Sequence, residues 1–196
     1  LDEREYKFIP ENRNGSIEII FKINTKDLAG ESIVAVEDLY RDGEKILSHY
    51  DLEDENQTIE IPEIKTYASD VFNNKKIKEN KEIKLLDKVK YKNLIVGKEY
   101  KLKGILMDKD TNMPLVINGK EVVSELIFVP ESKNGEVYLS FVFDGSNLKN
   151  KTIVVFEDLY RDDKLIGIHH DINDDNQSIK IYGENLSPNT SDYPIY

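Results

Sequence analysis

The sequence predicts an all-β protein, an antiparallel sandwich built in tandem, and three observations predict it. Apolar and polar residues alternate with a period of two, as in VYLSFVF, where Val137, Leu139, Phe141 and Phe143 share one face. Short runs rich in β-branched and aromatic residues are broken by turn signals such as DKDTNMP, NGK, KNGE, DGSN and RDD. The chain also repeats. Shifted by 120 residues, positions 1–60 meet 121–180 without a gap, so that Phe8, Pro10, Asn14 and Gly15 fall on Phe128, Pro130, Asn134 and Gly135. A unit of about 120 residues made of many short strands fits an immunoglobulin-like sandwich. On that period, residues 1–62 carry the back half of a first unit, 63–183 a whole unit, and 184–196 a tail or linker.

The elements follow in chain order. In IKTYASD, Thr66 lies between Ile64 and Ala68 on one side of the strand, because residues two apart point the same way. NNKKIKENKE reads as a polar, charged loop. In IKLLDKVKY, Ile83, Leu85, Val89 and Tyr91 mark the inward face, and Asp87 stands among them. GKEYKLKG, SELIFVP and VYLSFVF are further strands. In IVVFEDL, Glu157 shares a face with Ile153, Val155 and Leu159, and the first unit repeats this with Ile33, Ala35, Glu37 and Leu39. Both faces of the strand carrying His169 are mixed, so alternation gives that residue no side. In NQSIKI, Gln177 lines up with Ile179 and Ile181, as Gln57 does with Ile59 and Ile61.

Bulk properties exclude several function classes. A net charge of −11 repels a phosphate backbone, which argues against nucleic acid as a partner. No apolar run is long enough for membrane insertion of this segment. No leader peptide is recognisable, and the opening LDEREYKF reads as mid-domain sequence. Cysteine is absent, which removes disulfides, thiol nucleophiles and cysteine-based zinc sites together. No cofactor or metal site is called.

A hydroxyl, two carboxyls and a carboxamide thus face a core. Burying ionised carboxylates costs several kcal/mol each unless they are paired or protonated. Two carboxyls brought together share a proton, and one keeps its acid form near neutral pH. Such a pair can donate a hydrogen bond to a carbonyl, here the side chain of Gln177. Each residue taken alone has an ordinary structural reading. A strand Thr packs, a lone His or Glu is more often structural, and the Asp-rich turn DINDDNQ is a solvated turn before it is a calcium loop. Taken together, Glu, His, Asp and Gln recur at equal spacing as Glu37, His49, Asp54, Gln57 and as Glu157, His169, Asp174, Gln177. That joint recurrence points to a shared task.

Four motifs carry a resemblance. TYASD from Thr66 matches a Thr-x-Ala-x-Asp opening, and DKVKYKNL from Asp87 matches D-x-V-x-Y-x-N-L. VVFEDLY from Val154 recurs as VAVEDLY in the first unit. HHDINDDNQ from His169 and HYDLEDENQ from His49 match H-x-D-x-x-D-x-x-Q. In this order, and over nearly the whole chain, they resemble the VaFE-type repeat of Gram-positive surface proteins, whose modules form intramolecular Thr–Gln ester bonds. The resemblance implies that Thr66 attacks the side-chain carbonyl of Gln177, with His169 as general base. Asp87 and Glu157 would be the proton-sharing pair, and Asp174 would orient His169 or shape the turn.

It further implies a self-modifying stalk segment of a cell-wall-anchored extracellular adhesin, with neighbouring repeat units as partners and no activity on other molecules. Glu37, His49, Asp54 and Gln57 have no Thr-bearing strand of their own here, so Gln57 is expected to stay unreacted unless another chain completes the first unit. In the tail, SPNTS faintly resembles an L-P-x-T-G sorting signal, with Ser191 in place of Gly. Two other readings stand beside this one. A ligand-binding sandwich gripping a host matrix protein or glycan would show an exposed aromatic patch, which eleven tyrosines leave open. A hydrolase using His169 with Asp174 lacks a nucleophile elbow.

Overall fold

The computed structural model describes residues 3–25 and 27–183, and everything called for the tail at 184–196 lies outside them. The described elements are strands. The first unit contributes β1 (Ser32–Val34), β2 (Glu37–Arg41), β3 (Glu44–His49) and β4 (Thr58–Glu60). The second opens with β5 (Glu63–Asp70), β6 (Lys76–Lys78), β7 (Ile83–Lys92) and β8 (Tyr100–Asp108). Three two-residue strands follow, β9 (Met113–Pro114), β10 (Val116–Ile117) and β11 (Lys120–Glu121). It closes with β12 (Val123–Phe128), β13 (Gly135–Phe143), β14 (Thr152–Arg161), β15 (Lys164–His169) and β16 (Ser178–Tyr182).

The second unit is an immunoglobulin-like sandwich. One sheet runs β13-β7-β5; the other runs β12-β8-β14-β16-β6, with β15 also on β14 and β9 on β8. The alternating side chains of both inner faces make the core: Leu85, Val89, Leu139 and Phe141 from one sheet meet Leu102, Ile153, Leu159 and Ile179 from the other. The strand faces read from the sequence are the faces seen, including Ile64, Thr66 and Ala68 on β5 and Gln177, Ile179 and Ile181 at β16, all buried.

The segment read as a charged loop differs. Within it, β6 lies parallel to β16, with Ile77 opposite Ile181, and it is a parallel pair in an otherwise antiparallel sheet. One apolar residue flanked by lysines suffices, because Ile77 packs on the core while the lysines stay in water.

In the first unit the repeat shows at the level of hydrogen bonds. Both hairpins, β2–β3 and β14–β15, carry a register shift at the same place, Leu39/Tyr40 and Leu159/Tyr160. Their two-residue turns hold positive φ at Asp42 and Gly43 and at Asp162 and Asp163, the geometry a right-twisted hairpin demands. The counterpart of β13, residues 15–23, forms no strand, since no neighbouring strand stands beside it to pair with.

Candidate cross-linking site

Five elements converge across the middle of the sandwich. β5 carries Thr66 and β7 carries Asp87, in one sheet; β14 carries Glu157, β15 ends on His169, and Gln177 immediately precedes β16, in the other. Asp87 is flanked by Ala68 and Leu139 on the neighbouring strands, and Glu157 by Gly104 and His169. Asp87, Glu157 and Gln177 are 0% exposed and Thr66 is buried. His169, whose side alternation left open, is placed by pairing directly with Glu157.

Local hydrogen bonds fix each group. Gln177 N–H donates to Asp174 O at 3.1 Å, and Val155 N–H donates to Gln177 O at 3.2 Å, so the turn before β16 is locked at both ends. Ala68 N–H donates to Asn176 O at 2.9 Å, stitching that turn to β5 two residues from Thr66. Asp174 accepts from Asn176 N–H at 2.7 Å with Oδ1 and lies 2.9 Å from His169 Nε2 with Oδ2. A carboxylate only accepts, so Nε2 carries the ring proton and Nδ1 offers its lone pair. That lone pair meets Thr66 Oγ1 at 2.6 Å.

Electrostatics completes the arrangement. Burial, reinforced by the charge of Asp87, holds the Glu157 carboxyl well above the usual carboxylate range, and burial raises Asp87 as well. The interaction between the two carboxyls favours the acid form of Glu157. Thr66 has one hydroxyl proton. It has two acceptors within reach, His169 Nδ1 at 2.6 Å and Glu157 Oε2 at 3.3 Å, and the shorter contact is to the imidazole. The Gln177 amide donates to Asp87 Oδ1 at 3.3 Å. Asp87 Oδ2, Glu157 Oε1 and Gln177 Oε1 are buried without a hydrogen-bond partner among the described residues, and a single proton on the acid pair would relieve only part of this. Chemically, a hydroxyl stands against an imidazole, and a carboxamide against a carboxyl pair, with both carboxyls and the carboxamide 0% exposed.

The first unit holds half of this. His49 Nδ1 is 3.4 Å from Glu37 Oε2, and His49 Nε2 is 3.3 Å from Asp54 Oδ2. In the second unit the matching His169 Nδ1–Glu157 Oε2 distance is 4.0 Å, with the Thr66 hydroxyl in contact with both groups. Gln57 is half-buried.

Sequence reasoning missed two supporting residues. Lys75 donates from Nζ to Asp175 O at 3.1 Å and to Asn176 O, and sits 4.1 Å over the Tyr67 ring. It clamps the closing turn onto β5, and nothing in NNKKIKENKE distinguishes it from its neighbours. Gly104 lies opposite Glu157, where a Cβ would come within 2.6 Å of Phe141 Cζ and 2.8 Å of Leu139 Cδ1. A lone glycine inside the strand YKLKGIL was the available signal for such a close approach.

Comparison with known proteins places this geometry. A family model described as the T-Q ester bond containing domain matches residues 2–61 and again residues 62–181. No curated protein is similar in sequence. Among solved structures, a bacterial adhesin from Mobiluncus mulieris containing intramolecular disulfide, isopeptide and ester bond cross-links is similar in two crystal forms. Identity is 15% and 16%, coverage 64% and 62% of this chain and 58% and 57% of that one, and the TM-scores are 0.54 and 0.52. This chain therefore spans well under two thirds of that adhesin, and the likeness is one of fold. Matched along both of its repeats, the chain belongs to the family of T-Q ester bond containing domains.

Proposed function

We propose that residues 63–183 join Thr66 to Gln177 by an autocatalytic intramolecular ester, and that the chain is a stalk segment of an extracellular, cell-wall-anchored adhesin. The observation that carries the chemistry is the buried Thr66 hydroxyl in contact with His169 Nδ1 at 2.6 Å while the Gln177 amide contacts Asp87 at 3.3 Å. His169 takes the Thr66 proton as Oγ1 attacks the Gln177 side-chain carbonyl. Asp87 and Glu157, with their shared proton, steady the oxygen of the tetrahedral intermediate. The C–N bond breaks, the leaving nitrogen takes the proton from His169, and ammonia departs.

A carboxamide is a poor acyl donor and a threonine hydroxyl a poor nucleophile. Fixed proximity supplies roughly 7–11 kcal/mol of the barrier, and the dry core protects the ester from hydrolysis. Each unit reacts once and turns over no external substrate. The test is the intact mass of the folded chain: it falls short of the sequence by one ammonia, and Thr66→Ala or Gln177→Ala restores the full value. A parent chain at full mass rejects the ester.

For the first unit we infer that its exposed half-core accepts strands like β5–β8, with Thr and Asp at the places of Thr66 and Asp87, whether they belong to the same protein or are added as a separate polypeptide. Phe21 is 36% exposed where its counterpart Phe141 is 1% exposed, and Leu39 is 38% exposed where Leu159 is 1% exposed. Half a core lies open beside a Glu37–His49–Asp54 array already in contact. A covalent adduct on a denaturing gel, lost in Gln57→Ala, supports this; monomeric migration in the presence of such a polypeptide rejects it. The rival reading, a ligand-gripping module, finds little here. Tyr67 and Tyr138, which line a surface groove, each lie beneath a lysine, Lys75 and Lys88.

A further inference from the structure

Asn93 is the penultimate residue of the DKVKYKNL motif yet touches none of the ester chemistry. It follows β7 directly, in the left-handed region at φ 62°, a conformation asparagine tolerates better than most residues. Its backbone N–H is held by Asn134 Oδ1 at 3.0 Å, which ties the turn to its own unit. Its side chain reaches the other unit. Asn93 Nδ2 lies 3.1 Å from Gly30 O, 3.2 Å from Ile61 O and 3.4 Å from Glu31 O. These carbonyls end the β1–β4 ladder, where Gly30 N–H donates to Ile61 O at 3.1 Å and Ile61 N–H to Glu31 O at 2.9 Å. Beside them Lys133 Nζ donates to Glu60 Oε1 at 2.9 Å.

The far end of the second unit reproduces much of the accepting side. Asn150 stands where Gly30 does, and its φ of 64° matches the 77° of Gly30. Ile181 N–H donates to Lys151 O at 2.8 Å, the counterpart of the Ile61–Glu31 bond. The preceding turn matches as well, with Leu148 N–H to Gly145 O at 3.1 Å and Leu28 N–H to Thr25 O at 3.0 Å. Lys180 N–H and Tyr182 O point to the β6 side, bonding Lys75 O and Glu79 N–H, each at 2.8 Å. Ile181 therefore faces the opposite way, toward the end of the ladder. Lys180 occupies the place of Glu60, so the Lys133–Glu60 ion pair has no counterpart here and the amide is the part of the joint that can recur.

We propose that Asn93 is a head-to-tail latch between consecutive units, and that the carbonyls of Asn150, Lys151 and Ile181 form the receiving surface for the equivalent asparagine of a following unit. The stalk reading enters only in supplying that following unit. The side-chain amide has two N–H donors and the ladder end offers three carbonyls, so the joint is directional and independent of salt. It would set the rotation of each unit on the next, which flexible polar linkers do not.

The substitution Asn93→Gly keeps the left-handed backbone accessible and removes the amide. Residual dipolar couplings of amides in β2–β4 and in β5–β16 are expected to share one alignment tensor in the parent and to need two in the variant, with the loss of ammonia unchanged. One shared tensor in both proteins overturns the latch. A chain extended after Ile181 by a further copy of residues 62–183 tests the receiving surface. The added unit is expected to share its neighbour's tensor and to lose it when its own asparagine is replaced by Gly; independent tumbling of the unaltered added unit overturns that half. A parent that retains its ammonia but keeps one tensor rejects the ester and leaves the latch standing.

Discussion

Asp174 divides its two oxygens between the turn that carries Gln177 and the ring that faces Thr66, at 2.7 Å and 2.9 Å. One residue thereby sets the place of the electrophile and the tautomer of the base. His169→Ala is expected to slow ester formation by about 10²–10⁴-fold, the usual range for a positioned general base, followed as the rate of ammonia loss after refolding. Full-rate reaction without the imidazole removes His169 from the mechanism. The acid pair makes a separate prediction in a chain that cannot cross-link. In Thr66→Ala, the folded state holds a proton on Glu157 that the unfolded chain gives up near the ordinary value of 4.5. The stabilisation is therefore complete below that value and is lost as pH rises through the raised folded value. Urea midpoints of Thr66→Ala should fall from pH 4.5 upward more steeply than those of Thr66→Ala with Glu157→Gln. Parallel slopes would show that Glu157 is ionised in the fold.

At the scale of elements, Gly104 lets β8 run close under Phe141 and Leu139 while lying opposite Glu157. Gly104→Ala must force those side chains and β8 apart, with β14 paired to β8, at a cost of about 1–3 kcal/mol by the usual toll of overpacking. It should also slow the cross-link, since the Glu157 strand moves with them; a chemical-denaturation midpoint within error of the parent would show the space is larger than drawn. The strand faces were legible in the sequence, because β5, β7 and β14 are long and bury every second residue toward the core. Thr66, Asp87, Glu157 and Gln177 were visible as polar exceptions on those faces. The side taken by His169 was not, because β15 is partly exposed on both faces, and pairing with Glu157 settles what periodicity leaves open. Strand β6 was hidden for a related reason: three residues with one apolar side chain carry too little pattern, and their pairing partner lies about a hundred residues away. Nor does composition distinguish the unpaired stretch at 15–23 from β13, since the difference lies in which strand stands alongside.

For the whole molecule, the proposed ester would convert a sandwich into a closed loop. β5 and β16 are the first and last strands of the second unit, and Thr66 sits on β5 while Gln177 immediately precedes β16, in opposing sheets. Closing a loop of about a hundred residues stabilises by roughly 4–5 kcal/mol in the chain-entropy treatment, so Thr66→Ala should melt roughly 15–20 °C lower. Force separates the covalent link from mere stability. Tension applied at residues 63 and 183 enters through β5 and leaves through β16, so in the parent it passes through the ester and never loads the strands between. Thr66→Ala has only hydrogen bonds and packing along that path, and its rupture frees the roughly 110 residues between the two positions. At about 3.5 Å per residue that is a lengthening of roughly 400 Å per unit. Single-molecule stretching should therefore record this step in Thr66→Ala and in Gln177→Ala, and no such step in the parent up to forces that break covalent anchors. A parent that lengthens by the same increment as the variants carries no clamp, whatever its melting temperature.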